Sequence, residues 1–181
     1  MWPWEHVIFA YVIYSLGCRL FGTTPSSRAA LLLLVFGALL PDLIDKPLAW
    51  HFGIFHTSYS IGHSVLLAIP ASFVAVGLAV RFGHPRLGIA FAVGYLSHLI
   101  GDLIPTYVRE GNIPMERVMW PVMETEPSPG HGGLLDGFWN HFEPYLVSIR
   151  AGDPSLYLIV QLGLGILALV LWAFDGFPGI R

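Results

Sequence analysis

The chain has 181 residues, a length suited to one domain, yet only 12% are charged, against about 25% in an ordinary soluble domain. With 55% hydrophobic residues and a mean hydropathy of +0.65, a water-soluble globule would expose too much apolar surface, so the composition describes an integral-membrane protein. A net charge of −3 with no run of Lys or Arg excludes an electrostatic nucleic-acid binder, and the single Cys18 excludes a disulfide framework and a thiolate-rich metal site.

A bilayer span takes about 20 mostly apolar residues. Five stretches approach that requirement in chain order, at 4–20, 29–44, 62–80, 87–104 and 156–174, each bounded by charge, Pro or Gly as helix ends are. The first has neither a basic leader nor a small-residue cleavage site and is expected to be a retained span. Arg19 and Arg28 flank the first link, and Arg81 and Arg86 flank the third. The positive-inside rule places those links in the cytoplasm and the N-terminus outside. Between 106 and 154 the chain turns acidic and Pro-rich, which predicts a long extracytoplasmic loop. Within it, the apolar-aromatic pieces 118–123 and 138–149 suit interfacial segments. The expected fold is all-α: one integral-membrane domain over 1–181, a polytopic bundle of about five transmembrane helices in the inner (cytoplasmic) membrane.

Ionisable residues inside spans are costly and mark function by default. His6 starts the first span, Asp42 and Asp45 end the second, His56 and His63 lead into the third, and His98 and Asp102 sit late in the fourth. Under the five-span topology all seven lie on the extracytoplasmic side. His98 and Asp102 are four apart and share a helix face. Asp42 and Asp45 share one if the helix persists past Pro41, and His56 and His63 align if their segment is helical. Imidazole and carboxylate together are the ligand set of catalytic zinc and related ions, and such an ion brings the pKa of bound water to about 7. His131, His141 and Glu143 in the outer loop are secondary candidates, whereas His51 and His84 read as solvated. Lys46, Arg109 and Arg117 lie where they could hold an anionic headgroup, although such residues more often serve as interfacial anchors.

Three segments carry a family resemblance: Gly37-Ala-Leu-Leu-Pro-Asp-Leu-Ile-Asp45, His56–Ser64, and Gly94-Tyr-Leu-Ser-His-Leu-Ile-Gly-Asp102, with Trp120-Pro121 following. They resemble the YdjM-like family of membrane-bound metal-dependent hydrolases. That family usually writes its acidic motif Pro-Asp-x-Asp and spaces its paired histidines more closely, so either acid and either histidine remains open here. The family is in turn similar to helical zinc-dependent phospholipases C. That likeness implies His6 as an early ligand, Asp42 or Asp45 as the acid, His56 or His63 as the middle histidine, and His98 with Asp102 as the final pair.

The resemblance implies a hydrolase using one or two divalent ions, zinc foremost, on a phosphoester of a lipid or membrane-associated substrate. Asp42 or Asp45 would double as general base. A metal- or proton-relay transporter and a non-catalytic, metal-stabilised interaction protein are the alternatives.

Overall fold

A computed structural model of the chain describes residues 1–25, 27–127, 133–150 and 156–180, with some side chains of 134–150 set aside. Among these residues six α-helices follow one another: α1 (Pro3–Leu20), α2 (Arg28–Lys46), α3 (Val65–Arg81), α4 (Pro85–Glu110), α5 (Leu134–Arg150) and α6 (Leu156–Phe174). A π-helical turn, Pro47–His51, continues α2, and a 3-10 turn, Met115–Arg117, follows α4. No strand occurs among the described residues.

Local chemistry sets the helix ends. Pro3 opens α1 while the Glu5 carboxylate accepts the Trp2 N–H at 2.8 Å. Ser27 Oγ caps α2 by accepting the Ala30 N–H. Gly111, at φ +67°, stops α4 with its N–H on the Tyr107 carbonyl, a conformation glycine adopts without penalty. α2 continues through Pro41, as the shared face of Asp42 and Asp45 requires, and α4 continues through Pro105. The segment after α4 therefore starts at Gly111, beyond the expected boundary at 106.

The centre of the bundle is α4, which packs on α2, α3 and α1, while α6 packs on α1. Between α2 and α4 the backbones almost touch. A Cβ on Gly94 would collide with the Leu34 carbonyl oxygen, and a Cβ on Gly37 with that of Phe91. This small-residue seam lets helices approach where lipid offers no hydrophobic drive between them. Gly94→Leu is expected to force the seam apart at a cost of about 1–3 kcal/mol or more. Thermal unfolding in detergent should show the loss, together with a fall in bound metal, because the seam also sets a histidine contact described below.

At the far end of the bundle, α6 is fastened to α1 through Asp175. It accepts from Tyr11 at 2.8 Å and Ser15 at 2.6 Å and pairs with Arg19. Each donor there has its acceptor, as a structural clamp requires.

The interior combines apolar clusters around Leu34, Tyr95 and Val12 with many buried polar groups, and much of the exterior is apolar. His6, Asp45, His63, His98, Ser15, Ser60 and Ser64 are all at most 1% exposed, whereas Leu66, Phe73 and Val74 of α3 and Ile159, Leu162 and Ile166 of α6 face outward. A soluble domain rarely buries so many polar side chains while exposing so many large apolar ones. Five helices of spanning character were expected, but among the described residues only α4 and α6 are long and apolar enough to cross a membrane by themselves, with α3 a shorter apolar helix. The reason is visible in the helices concerned: α1 carries Glu5, His6 and Arg19, and α2 carries Arg28, Asp42, Asp45 and Lys46.

The piece 138–149 lies within α5, whose Leu135, Trp139 and Val147 are exposed. This helix docks near the start of α1: Phe138 and Phe142 meet Trp2 edge-on, and the Trp50 ring packs on Gly137, where a Cβ would come within 2.6 Å of it. The piece 118–123 is instead tied to the start of α3. Val65 donates its N–H to the Val118 carbonyl at 2.8 Å, and Ser64 Oγ donates to the Trp120 carbonyl at 2.5 Å.

Candidate metal centre

His98 on α4 meets the α2 backbone across the glycine seam, with Nδ1 2.6 Å from the Ala38 carbonyl oxygen. A carbonyl can only accept, so Nδ1 carries the proton and Nε2 presents a lone pair. His63 reaches the same state by another route. Its Nδ1 lies 2.8 Å from Asp45 Oδ2, and the same carboxylate accepts backbone N–H groups from Ser60 (2.8 Å), Gly62 (2.9 Å) and His63 itself (3.0 Å). Gly62 is required for this wrap, since a Cβ there would sit 2.8 Å from the Pro41 carbonyl oxygen. A carboxylate holding the remote nitrogen of an imidazole is the usual arrangement behind a metal-ligating histidine.

The two Nε2 atoms face each other at 3.1 Å. Neighbouring ligand atoms on a tetrahedral zinc, at bond lengths of about 2.0–2.1 Å, stand about 3.3 Å apart. Two carboxylates complete the group. Asp42 Oδ1 is 3.6 Å from His63 Nε2 and 3.9 Å from His98 Nε2, and Asp102 Oδ2 is 3.3 Å and 3.5 Å from them. Lys46 Nζ holds the other oxygen of Asp42 at 2.6 Å.

Next to this group His6 stacks on His98, with ring centroids 3.6 Å apart and planes within 12°. Its Nε2 lies 3.2 Å from Asp102 Oδ1, yet neither ring nitrogen of this buried histidine makes a hydrogen bond. The Met1 amino group also reaches Asp102 Oδ1, at 2.7 Å. Buried unpartnered imidazole nitrogens call for an explanation. A cation shared through Asp102 supplies one, because that carboxylate turns one oxygen to each group. The donors thus fall into two clusters, Asp42–His63–His98 and His6–His98–Asp102, and their mixed N/O chemistry suits zinc or a related divalent ion.

The YdjM inner membrane protein family model matches residues 1–175. The chain belongs to that family. No curated protein and no solved structure matches it. Membership places this YdjM protein among inner membrane proteins, in keeping with its apolar exterior.

Six of the seven primary candidates in this YdjM protein, His6, Asp42, Asp45, His63, His98 and Asp102, are buried together. His56 is not among them. It is exposed, because the chain from 52 to 64 is irregular and wraps around the Asp45 carboxylate, so the two-turn helical alignment with His63 does not arise. His51 is exposed against Phe52, and His84 is exposed at the start of α4. Glu143 is exposed on α5, while His131 and the His141 side chain lie outside the described residues.

Two neighbours of the centre had no signal in the sequence. The Ala38 carbonyl is a backbone group and leaves no residue signature. Tyr59 sits edge-on to His63, with centroids 5.0 Å apart, and carries the Arg117 guanidinium over its ring at 5.3 Å. Burial, assisted by the nearby Asp102 charge and opposed by Arg117, pushes the Tyr59 hydroxyl above its ordinary range, so it remains a protonated donor.

Proposed function

We propose that this YdjM protein is a membrane-embedded, metal-dependent hydrolase acting on a phosphoester of a lipid or another membrane-associated substrate. One observation carries the reading: two buried imidazoles, each with Nδ1 committed to an acceptor, turn their Nε2 lone pairs toward one point beside two carboxylates. In this reading Asp42, His63, His98 and Asp102 would hold one divalent ion, zinc foremost, and His6 with Asp102 would hold another. Such an ion supplies Lewis acidity toward a phosphoryl oxygen and an acidified water near neutral pH.

The chain's own residues divide the remaining work. Asp45 orients His63 and, with three N–H groups on it, is not free to move a proton. Asp42 is the least buried of the acids at the donors, and Lys46 steadies its Oδ2 so that Oδ1 stays turned toward the two Nε2 atoms. α5, resting on Trp2 and Trp50, limits water entry from the side.

The same proposal takes α1, α2, α3, α4 and α6 as the five spans, with the centre opening to the extracytoplasmic face. The start of α1, the end of α2, the residues just before α3 and the second half of α4 all contribute to the centre, as four successive crossings would allow. Elemental analysis of the purified protein, followed by a phosphoester panel before and after chelation, tests this. At least one equivalent of divalent metal per chain and chelator-sensitive hydrolysis are expected. Sealed spheroplasts should hydrolyse a membrane-impermeant substrate that inverted vesicles leave intact. Protein that neither carries nor takes up a divalent ion would overturn the reading.

A further inference from the structure

Three basic residues lie near the centre, and their partners separate them. Lys46 is committed to Asp42 at 2.6 Å. Arg109 is exposed and turns its Nε onto the Pro105 carbonyl of its own helix at 3.2 Å, as an interfacial anchor does. Arg117 differs from both. It is half-buried, its Nη1 donates to the backbone carbonyl of Asp102 at 3.1 Å, its guanidinium lies over the Tyr59 ring, and no carboxylate pairs with it among the described residues.

We infer that Arg117 is the residue that recognises the substrate's phosphate. The inference rests on the hydrolase reading and narrows it, from an ester in general to a tetrahedral oxyanion. A half-buried guanidinium without an acid partner has lost hydration that no neighbouring carboxylate restores. Among the described residues one of its five N–H donors is in use, and the planar fork matches two oxygens of a phosphate.

Position follows from the same contacts. The bond to the Asp102 carbonyl holds the guanidinium on the residue whose carboxylate faces both histidine pairs. The Tyr59 ring packs edge-on to His63 and holds the cation by cation–π attraction. The segment bearing Arg117 is fixed in turn, since Val118 and Trp120 are bonded to the start of α3. The arginine is thus preorganised beside the donors, so little ordering cost remains when an oxyanion arrives.

The test uses the full-length, zinc-loaded protein in detergent, titrated calorimetrically with inorganic phosphate. Wild type should bind phosphate, and Arg117→Gln should weaken that binding by about tenfold to a hundredfold, the scale of losing charge-assisted hydrogen bonds, while retaining wild-type zinc content. Arg117→Lys should recover only part of the affinity, because an ammonium cannot present the fork. Tyr59→Phe should stay near wild type and Tyr59→Leu should fall between, as expected if the ring is the platform. Zinc content and elution volume show that each variant is folded.

Wild-type phosphate affinity in folded Arg117→Gln and Arg117→Lys would make the arginine a structural tie and overturn the inference. A wild type that takes zinc but binds no phosphate would overturn it as well, leaving the metal centre standing. Failure to take zinc, with phosphate binding still lost in Arg117→Gln, would instead overturn the hydrolase reading and leave Arg117 as an anion site. Displacement of bound phosphate by phosphatidic acid but not by glycerol phosphate assigns the oxyanion to a lipid headgroup, and the converse assigns it to a soluble ester. Displacement by neither overturns the assignment.

Discussion

Asp102→Asn is expected to lose bound metal and hydrolysis together while leaving a folded protein in the membrane. The amide preserves shape and one acceptor oxygen but removes the charge that draws a divalent cation to both donor groups, since one carboxylate oxygen lies 3.2 Å from His6 Nε2 and the other 3.3 Å from His63 Nε2. Metal affinity should fall by more than the ~10–100-fold typical of losing a residue that only orients a ligand. His98→Ala should match it, and the double variant should add little, because residues serving one site act as a unit. Exposed His84, at the opposite end of α4, supplies the control as His84→Ala and should change nothing. Elemental analysis and a phosphoester assay on all four proteins decide the matter. Wild-type metal in both Asp102→Asn and His98→Ala would make the cluster a structural polar network.

Asp45→Asn and Asp42→Asn should fail in different ways, although the two acids are neighbours on one helix. Asp45 is 0% exposed and accepts three backbone N–H groups besides the His63 ring. An amide in its place turns an NH₂ toward at least one of those donors and leaves a buried group unpaired, at a cost of about 1–3 kcal/mol. His63 then loses its orientation, and metal affinity should drop by ~10–100-fold without vanishing. Asp42→Asn should instead abolish activity and sharply reduce metal with little effect on thermal stability, because its partners are Lys46 and the proposed ion. Competition with a chromogenic chelator, set beside unfolding curves, separates the two patterns. The reverse pattern would exchange the roles assigned to the two acids.

The contrast between Asp42 and Asp45 shows where legibility in the sequence ended. Composition alone identified a membrane protein, because a charged share this low cannot coat a soluble surface. Helical periodicity placed His98 and Asp102 on one face, and that held because four residues in a continuous helix permit only one geometry. The two aspartates were equally legible as a pair, and α2 did persist through Pro41, but spacing cannot say which acid meets imidazole Nδ1 and which faces Nε2. That depended on the loop from 52 to 64, which folds its N–H groups onto Asp45 and in doing so buries His63 and leaves His56 exposed. Irregular backbone has no period to read.

The same limit applied to contacts between helices. The Ala38 carbonyl on His98, the stacking of His6 on His98, and the Arg117 guanidinium over Tyr59 join residues far apart in the chain. Gly37 and Gly94 allow the first by bringing α2 and α4 into backbone contact, Gly101 leaves room for His6 beside α4, and the bonds from the segment after α4 to the start of α3 fix the third. The sequence by itself determined the solvent this protein lives in, its helices and the residue types its centre would use. Only the tertiary structure decided which of those residues meet, since a buried polar group takes whichever partner packing brings within reach.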